Sequence, residues 1–390
     1  MVEMKVESEC IGRKKALIVT ALAGFIKCFL SNDIHILQNM GYEVHCAANV
    51  NHAGAECMLD YFNEMKVVFH QIDFSSNKPL SKNTFRSYIE LYELFKDYKF
   101  DVIHSHTPIA GAITRFIGKK QRKKGSIMIY TVHGFYFHKK SSMKTWLLYH
   151  TIEKVMSRYS DAIITINHED FANAKKMYCK QVYYIPGVGV DINKFEKVHI
   201  NREQYREQIG IPRNAFLILA IGELSVRKNH QIIVKALAKA DIPHAIFMIC
   251  GNAMTTQNTK NKLETLAKKS GVDLRLMGLR DDIPQICKCA DIGVMPSMRE
   301  GLGLAGIEML ASGLPVIASN VQGIVDYIKE GENGYLCDPN NEDEFLSAIL
   351  KLLDLEVRKI MKEKSIKSVK PFDCQFAYKR MRDIYHELLH

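Results

Sequence analysis

Apolar residues fall into short runs separated by amphipathic stretches, and this alternation indicates the fold before any motif is weighed. In the first half the runs are KALIVTA, EVHCAAN, VVFHQID, DVIHSH, SIMIYTV and DAIITIN. Between them, residues 82–98, 110–124 and 144–159 place apolar side chains at helical spacing. The segment IPGVGVDINKF (185–195) breaks the rhythm with a proline and two glycines and opens a linker. The alternation then restarts with FLILAIG, AIFMICG, LRLMG, DIGVMPS, LPVIAS and GYLC. Strands alternating with helices predict parallel sheets joined by crossover helices. The expectation is an α/β protein of two doubly wound, Rossmann-like domains, residues 1–190 and 200–371. The closing segment QFAYKRMRDIYHELLH adds a helix with Phe376, Met381, Ile384, Tyr385 and Leu388 in an apolar stripe that needs a partner surface.

Open sheets of this kind bind ligands at the carboxyl ends of their strands, so two in tandem present a cleft suited to a nucleotide. Composition agrees with this picture. A chain of 390 residues accommodates two domains, and 47% apolar with 25% charged residues is ordinary for globular proteins. No run reaches the ~18–20 apolar residues of a membrane span; ALIVTALAGFI stops at Lys27 and reads as a buried strand and turn. The acidic start MVEMKVESEC does not read as a secretory signal, which points to the cytoplasm. Ten scattered cysteines form no disulfide framework, and Cys287 and Cys289 lack a second pair at zinc-finger spacing.

The net charge of +10 is partly clustered. GKKQRKKG carries Lys119, Lys120, Arg122, Lys123 and Lys124, with Lys139 and Lys140 further on. One reading is a solvated helix end; the other is attraction to an anionic membrane surface or phosphorylated substrate. No recognition-helix, zinc-finger or RRM-like pattern accompanies the charge, so nucleic acid is not an expected partner.

The segment REGLGLAGIEMLASGLPVIAS sets Glu300 and Glu308 around small and apolar residues. Carboxylates are rarely buried unless they have a partner. The spacing puts Glu300 in a strand-to-helix loop and Glu308 in or near the first turn of a helix starting at Leu304 or Ala305. Gly301 and Gly303 let the backbone approach a ligand, and the free N–H groups of the helix start suit a diphosphate. The carboxylates then serve as acceptors for hydroxyl groups, of which a sugar nucleotide has many. Taken singly, Glu300 reads as a solvated loop residue and Glu308 as an acid favoured by the helix dipole.

Glu300 and Glu308, with seven residues between them, resemble the E-x7-E motif of retaining glycosyltransferases of family 4, which have the GT-B fold. PSMREGLGLAGIEMLASGLPVIAS, RDDIPQICKCADIGVMPS and GENGYLCDPNNEDEF are similar to that family. FDVIHSHTPIAGAITR, YTVHGFYF and YYIPGVGVDINKF resemble its bacterial exopolysaccharide and capsule branch. The resemblance implies two domains facing each other across a cleft. An acceptor-binding N-terminal domain is joined by the returning helix (372–390), and the C-terminal domain binds the nucleotide sugar. It further implies Glu308 on the ribose hydroxyls, Glu300 by the donor hexose, and the amides of Gly303, Leu304 and Ala305 on phosphates and sugar.

Lys228 matches the family lysine on the diphosphate, while Glu223 stands where many relatives have arginine and leaves Arg227 to substitute. His133 resembles the histidine that contacts the donor sugar. Gly24, in the loop after the first strand, would leave room for donor phosphate or acceptor, and Arg280 aligns with the region near the base. His104 and His106 sit at alternate positions of one strand, as metal ligands can, but no acidic cluster completes a set. The Asp-x-Asp pattern of metal-using glycosyltransferases is missing as well. No metal or other cofactor is therefore expected.

The implied reaction is transfer of a hexose or N-acetylhexosamine from a nucleotide sugar, UDP-linked by preference, with attack on the face the phosphate leaves. The implied acceptor is a saccharide, free or carried on a polyprenyl diphosphate at the inner face of the cytoplasmic membrane. The alternatives are a sugar-nucleotide epimerase of the same architecture and a non-catalytic sugar-nucleotide-binding protein.

Overall fold

The computed structural model describes residues 13–51, 55–75, 81–252 and 257–390. The acidic segment MVEMKVESEC lies outside them. The first domain is built on seven strands: β1 (Lys15–Leu22), β2 (Glu43–Asn49), β3 (Val68–Gln71), β4 (Val102–His106), β5 (Ile127–Val132), β6 (Ala162–Thr165) and β7 (Gln181–Tyr184). They form one parallel sheet in the order β3-β2-β1-β4-β5-β6-β7. The second domain contains β8 (Phe216–Ile221), β9 (Ala245–Cys250), β10 (Asp273–Gly278), β11 (Ile292–Met295), β12 (Val316–Ser319) and β13 (Gly334–Cys337). Their order is β10-β9-β8-β11-β12-β13, again parallel.

Helices cover both faces of each sheet, so the central strands are buried on both sides and read as unbroken apolar runs. In β1, Ile18 faces a core with Val44, Ile129 and Ile164, whereas Leu17 and Val19 face another with Ile103, Met128 and Leu91. Alternate residues thus feed two separate layers.

Three sequence expectations need correction. β7 was not anticipated, because QVYY is an edge strand of which only Tyr183 is buried. The segment after β1 is no turn: the strand runs directly into the helix Ala23–Phe29. In the final helix, Cys374–Leu389, the buried residues are Ala377, Met381, Ile384 and Tyr385, while Phe376 is 61% exposed. Met381, Ile384, Tyr385 and Leu388 pack on the core as expected, and Ala377 takes the place of Phe376 in the stripe.

That helix does return to the first domain. It packs against the helix Ser31–Asn39, and its Tyr385 hydroxyl lies 2.6 Å from His104 Nδ1 and 3.0 Å from Asp33 Oδ1. The chain therefore crosses between domains twice. The crossings are bound side by side: Val190 N donates to Phe372 O (2.9 Å) and Cys374 N donates to Val190 O (3.0 Å). Gly189 has φ +84°, and a Cβ there would run into Cys374 Cα. Among the described residues no helix is long and apolar enough to cross a membrane.

Candidate functional site

The carboxyl ends of the two sheets face each other across a cavity of about 560 Å³, within the usual range for small-ligand sites. The second domain supplies its more polar wall. After β11 the chain loops to Gly303 and enters the helix Leu304–Ala311. Gly303 adopts φ +81°, and a Cβ on it would meet Met295 Cε at 2.6 Å and Glu300 Cγ at 2.9 Å. The Tyr327 hydroxyl donates to Gly303 O (3.1 Å) and fixes this entry. Only glycine fits there, and the first helical turn at Leu304 and Ala305 is presented to the cavity.

Glu300 is the electrostatic centre of this wall. Its Oε2 accepts from Lys228 Nζ (2.8 Å), Arg227 Nη1 (2.9 Å) and Ser297 Oγ (3.3 Å). Burial pushes its carboxyl up, but Lys228 and Arg227 outweigh that and hold it below the ordinary glutamate value. All three donors use one oxygen, so Oε1 has no protein partner among the described residues. Arg227 Nη2 also binds Glu223 Oε1 (2.9 Å), so the guanidinium bridges two carboxylates. Lys228 ends the short helical turn Val226–Lys228, whose N-cap Ser225 accepts from Lys228 N.

Glu308 lies just past the first turn of the helix, near where the sequence places it. Burial raises its pKa, tempered by Lys194. Among the described residues its carboxylate has no hydrogen-bond donor, which leaves it as an acceptor facing the cavity.

The first domain contributes His133, just beyond β5. Its Nε2 lies 3.1 Å from His106 Nδ1 and its ring packs edge-on to Phe25. Burial pushes its pKa down to about 4, so it is neutral near pH 7. His104, the other member of HSH, has both ring nitrogens in hydrogen bonds, to Tyr385 and Thr131. Burial and then the proximity of His133 push its pKa down to about 3.

Two candidates fall outside the cavity wall. Gly24 is not in a loop but in the first turn of Ala23–Phe29, exposed and with nothing near a Cβ; its neighbour Phe25 lines the cavity instead. Arg280 is held by Asp282, at 2.8 Å and 2.5 Å, and is not among the lining residues. Of the basic run, Arg122 is bound by Asp161 (2.7 Å) and Lys119 Nζ lies over the Phe116 ring; beyond the run, Lys140 is bound by Asp338 (2.9 Å).

Residues that sequence reasoning missed form the seam between the domains. Asn167 Nδ2 donates to Gly301 O (2.8 Å), and Gln322 Nε2 donates to Phe135 O (3.1 Å). A Cβ on Gly301 would collide with His133 O, so two loops from different domains touch through backbone alone. Arg299 lies over the Tyr136 ring at 3.9 Å. The only signal for Asn167 is its place at a strand end before a helix, where it caps Asp170 N.

Comparison with known proteins shows the family and the fold. Residues 18–167 match the family model described as glycosyl transferase 4-like, and residues 201–368 that of glycosyl transferases group 1. The chain is 30% identical over 380 residues to a Bacillus subtilis (strain 168) protein provisionally named glycosyltransferase EpsD, covering 95% of this chain and 96% of that one. It is also 30% identical over 347 residues to the UDP-Gal:alpha-D-GlcNAc-diphosphoundecaprenol alpha-1,3-galactosyltransferase of Escherichia coli, covering 85% and 87%. Among solved structures, Anabaena HepE in complex with UDP and glucose superposes with a TM-score of 0.77 at 17% identity, covering 96% of this chain and 100% of that one.

Proposed function

The chain is a GT-B glycosyltransferase belonging to the group 1, family 4-like glycosyltransferases, and from that premise we propose that it transfers a hexose or N-acetylhexosamine from a UDP-sugar, with retention, to a saccharide carried on a polyprenyl diphosphate in exopolysaccharide or capsule assembly. One observation carries the reading: an ionised Glu300 clamped by Lys228 and Arg227 beside a helix start, with Glu308, which has no donor among the described residues, one turn further in. In this proposal Glu308 accepts from the ribose hydroxyls and Glu300 Oε1 from the hexose. Lys228, Arg227 and the first amides of Leu304–Ala311 hold the diphosphate and stabilise the charge it gains on leaving. Neutral His133 reaches the sugar from the other domain.

The donor class is tested by the thermal shift given by UDP-, GDP- and ADP-sugars. A ligand at 100 times its Kd stabilises by about 2.7 kcal/mol, so the UDP-sugar should raise the melting temperature by several degrees and the others little. A larger shift with a GDP-sugar would overturn the choice of base. Product analysis without acceptor separates transfer from epimerisation, since an epimerase converts its donor alone. The cations and helix amides already supply positive charge to the diphosphate, so turnover should survive EDTA. Activity lost on chelation and restored by magnesium or manganese would require a metal in the reaction.

The reading extends to a membrane-carried acceptor, and the supporting observation is an exposed apolar face. The helix Met143–Met156 exposes Met143, Leu147, Leu148, Ile152 and Val155, with Leu147 at 62%. It packs on Pro108–Arg122, which in turn packs on Lys82–Asp97, where Phe85 is 69% exposed. Lys119, Lys120, Lys123, Lys124 and Lys144 accompany these side chains. Each cation near an anionic leaflet contributes about 1 kcal/mol. We therefore propose peripheral binding in which apolar side chains insert and lysines meet anionic headgroups. Anionic vesicles should co-sediment the protein at low salt. Leu147→Glu with Leu148→Glu should abolish this, and replacing the four lysines from Lys119 to Lys124 with glutamine should weaken it at least about tenfold. Binding unchanged by both sets would reject this face.

A further inference from the structure

At the opposite ends of the same strands, the second domain carries another cavity, of about 550 Å³. It lies where β8, β11 and β12 begin: Ala215 and Phe216, Asp291 and Pro315 all line it. The donor cleft lies where β8 and β11 end. At ~3.3 Å per residue the six residues of β8 separate the two by roughly 20 Å.

This second wall is strongly cationic. Arg202, Arg206, Arg213, Lys288, Arg358, Lys359 and Lys362 line it, and Asp291 is the one carboxylate among the described lining residues. Asp291 is already committed. Its Oδ1 accepts from Arg202 Nη2 (2.7 Å), and its Oδ2 accepts from Arg206 Nη2 (2.7 Å) and Leu217 N (2.8 Å). Glu203 holds Arg213 and Glu356 holds Lys359. Arg358 comes no nearer to Asp291 than 3.9 Å and otherwise donates to Leu352 O and Leu353 O. Among the described residues Lys288 reaches only carbonyls, Glu196 O and Ser312 O, both at 3.1 Å. Burial and then Lys362 draw its pKa below the ordinary lysine value, as unneutralised positive charge should.

We propose that this cavity binds a phosphate-class anion, a diphosphate or the headgroup of a phospholipid, through Lys288, Arg358 and Lys362 with Arg202 at the rim. Phe216, Leu314 and Pro315 give it an apolar side against which a non-polar part of the ligand can rest. The cations and the volume fit such an anion, and the position at the strand starts separates it from the donor cleft. Lys288 also covers the carbonyl end of Leu304–Ala311. Lys362 has no such duty, and its exposed side chain makes it the cleaner probe.

The test is calorimetry of the full chain with inorganic pyrophosphate. Lys228→Ala weakens binding in the donor cleft, so the second site is read in that background. There, Kd should stay within about twofold of one of the wild-type sites, and Lys362→Gln or Lys288→Gln should raise it at least about tenfold. Melting temperatures confirm that each variant is folded. Phosphatidylglycerol vesicles that compete with pyrophosphate would identify a lipid headgroup as the source, and no competition would identify a free anion. Absence of pyrophosphate binding in the Lys228→Ala background, or binding there unchanged by both back-cavity substitutions, overturns the proposal.

Discussion

Glu300→Ala is expected to lower kcat by on the order of 10²–10³-fold, the range seen when one electrostatic stabiliser of a reacting centre is removed, while UDP affinity changes little. The reason is the division of labour between its two oxygens. Oε2 gathers Lys228, Arg227 and Ser297, and in the proposed reading Oε1 accepts from a substrate hydroxyl. Removing the carboxylate frees both cations, which still hold a diphosphate but are no longer aimed. Glu300→Gln keeps the shape and loses the charge, so a similar fall there would assign the effect to charge. Removing one partner of a buried ion pair costs about 3–5 kcal/mol. The open cleft should reduce that figure here, and both variants should fold. Steady-state turnover with calorimetry of UDP binding gives the answer. Wild-type turnover in either variant, or a loss of UDP affinity as large as the loss of kcat, would remove Glu300 from the proposed role.

Glu308→Ala should show the reverse pattern, with UDP binding weakened by about 100-fold. Two hydrogen bonds from hydroxyls to a carboxylate contribute about 1.5 kcal/mol each at the low end of the charged range, which gives this factor. The free protein should lose no stability, and its melting temperature should stay level or rise. Glu308 is a half-buried carboxylate whose charged form is disfavoured by burial and which gains no donor among the described residues in return. Its raised pKa also sets a pH dependence. UDP affinity should weaken as pH falls through that pKa, at a higher pH than an ordinary glutamate would dictate. Unchanged UDP affinity in Glu308→Ala would falsify the assignment.

What could be read from the sequence was what short-range chemistry decides. DIGVMPS followed by GLGLAGIEML placed a strand end, a glycine and a helix start within one residue of where they lie, because strand period, left-handed glycine and helix entry are all local. Lys228 was legible through the family resemblance, as the lysine a few residues beyond the glycine that follows β8. Arg227 was legible as a cation but not as a bridge, since its bonds to Glu223 and Glu300 depend on two loops meeting. Tyr385 read as one more apolar position; its bond to His104 spans 281 residues. The pairing of Arg280 with its neighbour Asp282 was not legible, and Arg280 is not among the residues lining the cavity. Gly24 was misplaced because β1 enters a helix with no intervening loop. The seam residues Asn167 and Gln322 bond to backbone carbonyls, and no side-chain pattern announces that.

The returning helix has a consequence for biosynthesis. The polar contacts that Tyr385 makes with His104 and Asp33, and the burial of Ile384, belong to the first domain but are encoded after the second. Translation runs at about 5–20 residues per second, so the nascent first domain waits roughly 10–40 seconds between the emergence of β7 and that of Cys374–Leu389. Through that interval it is a sheet with an uncovered seat beside Ser31–Asn39, while the second domain assembles below it. The enzyme is therefore finished from the inside out: the second domain can close first, and the first is sealed only as the helix that completes it leaves the ribosome.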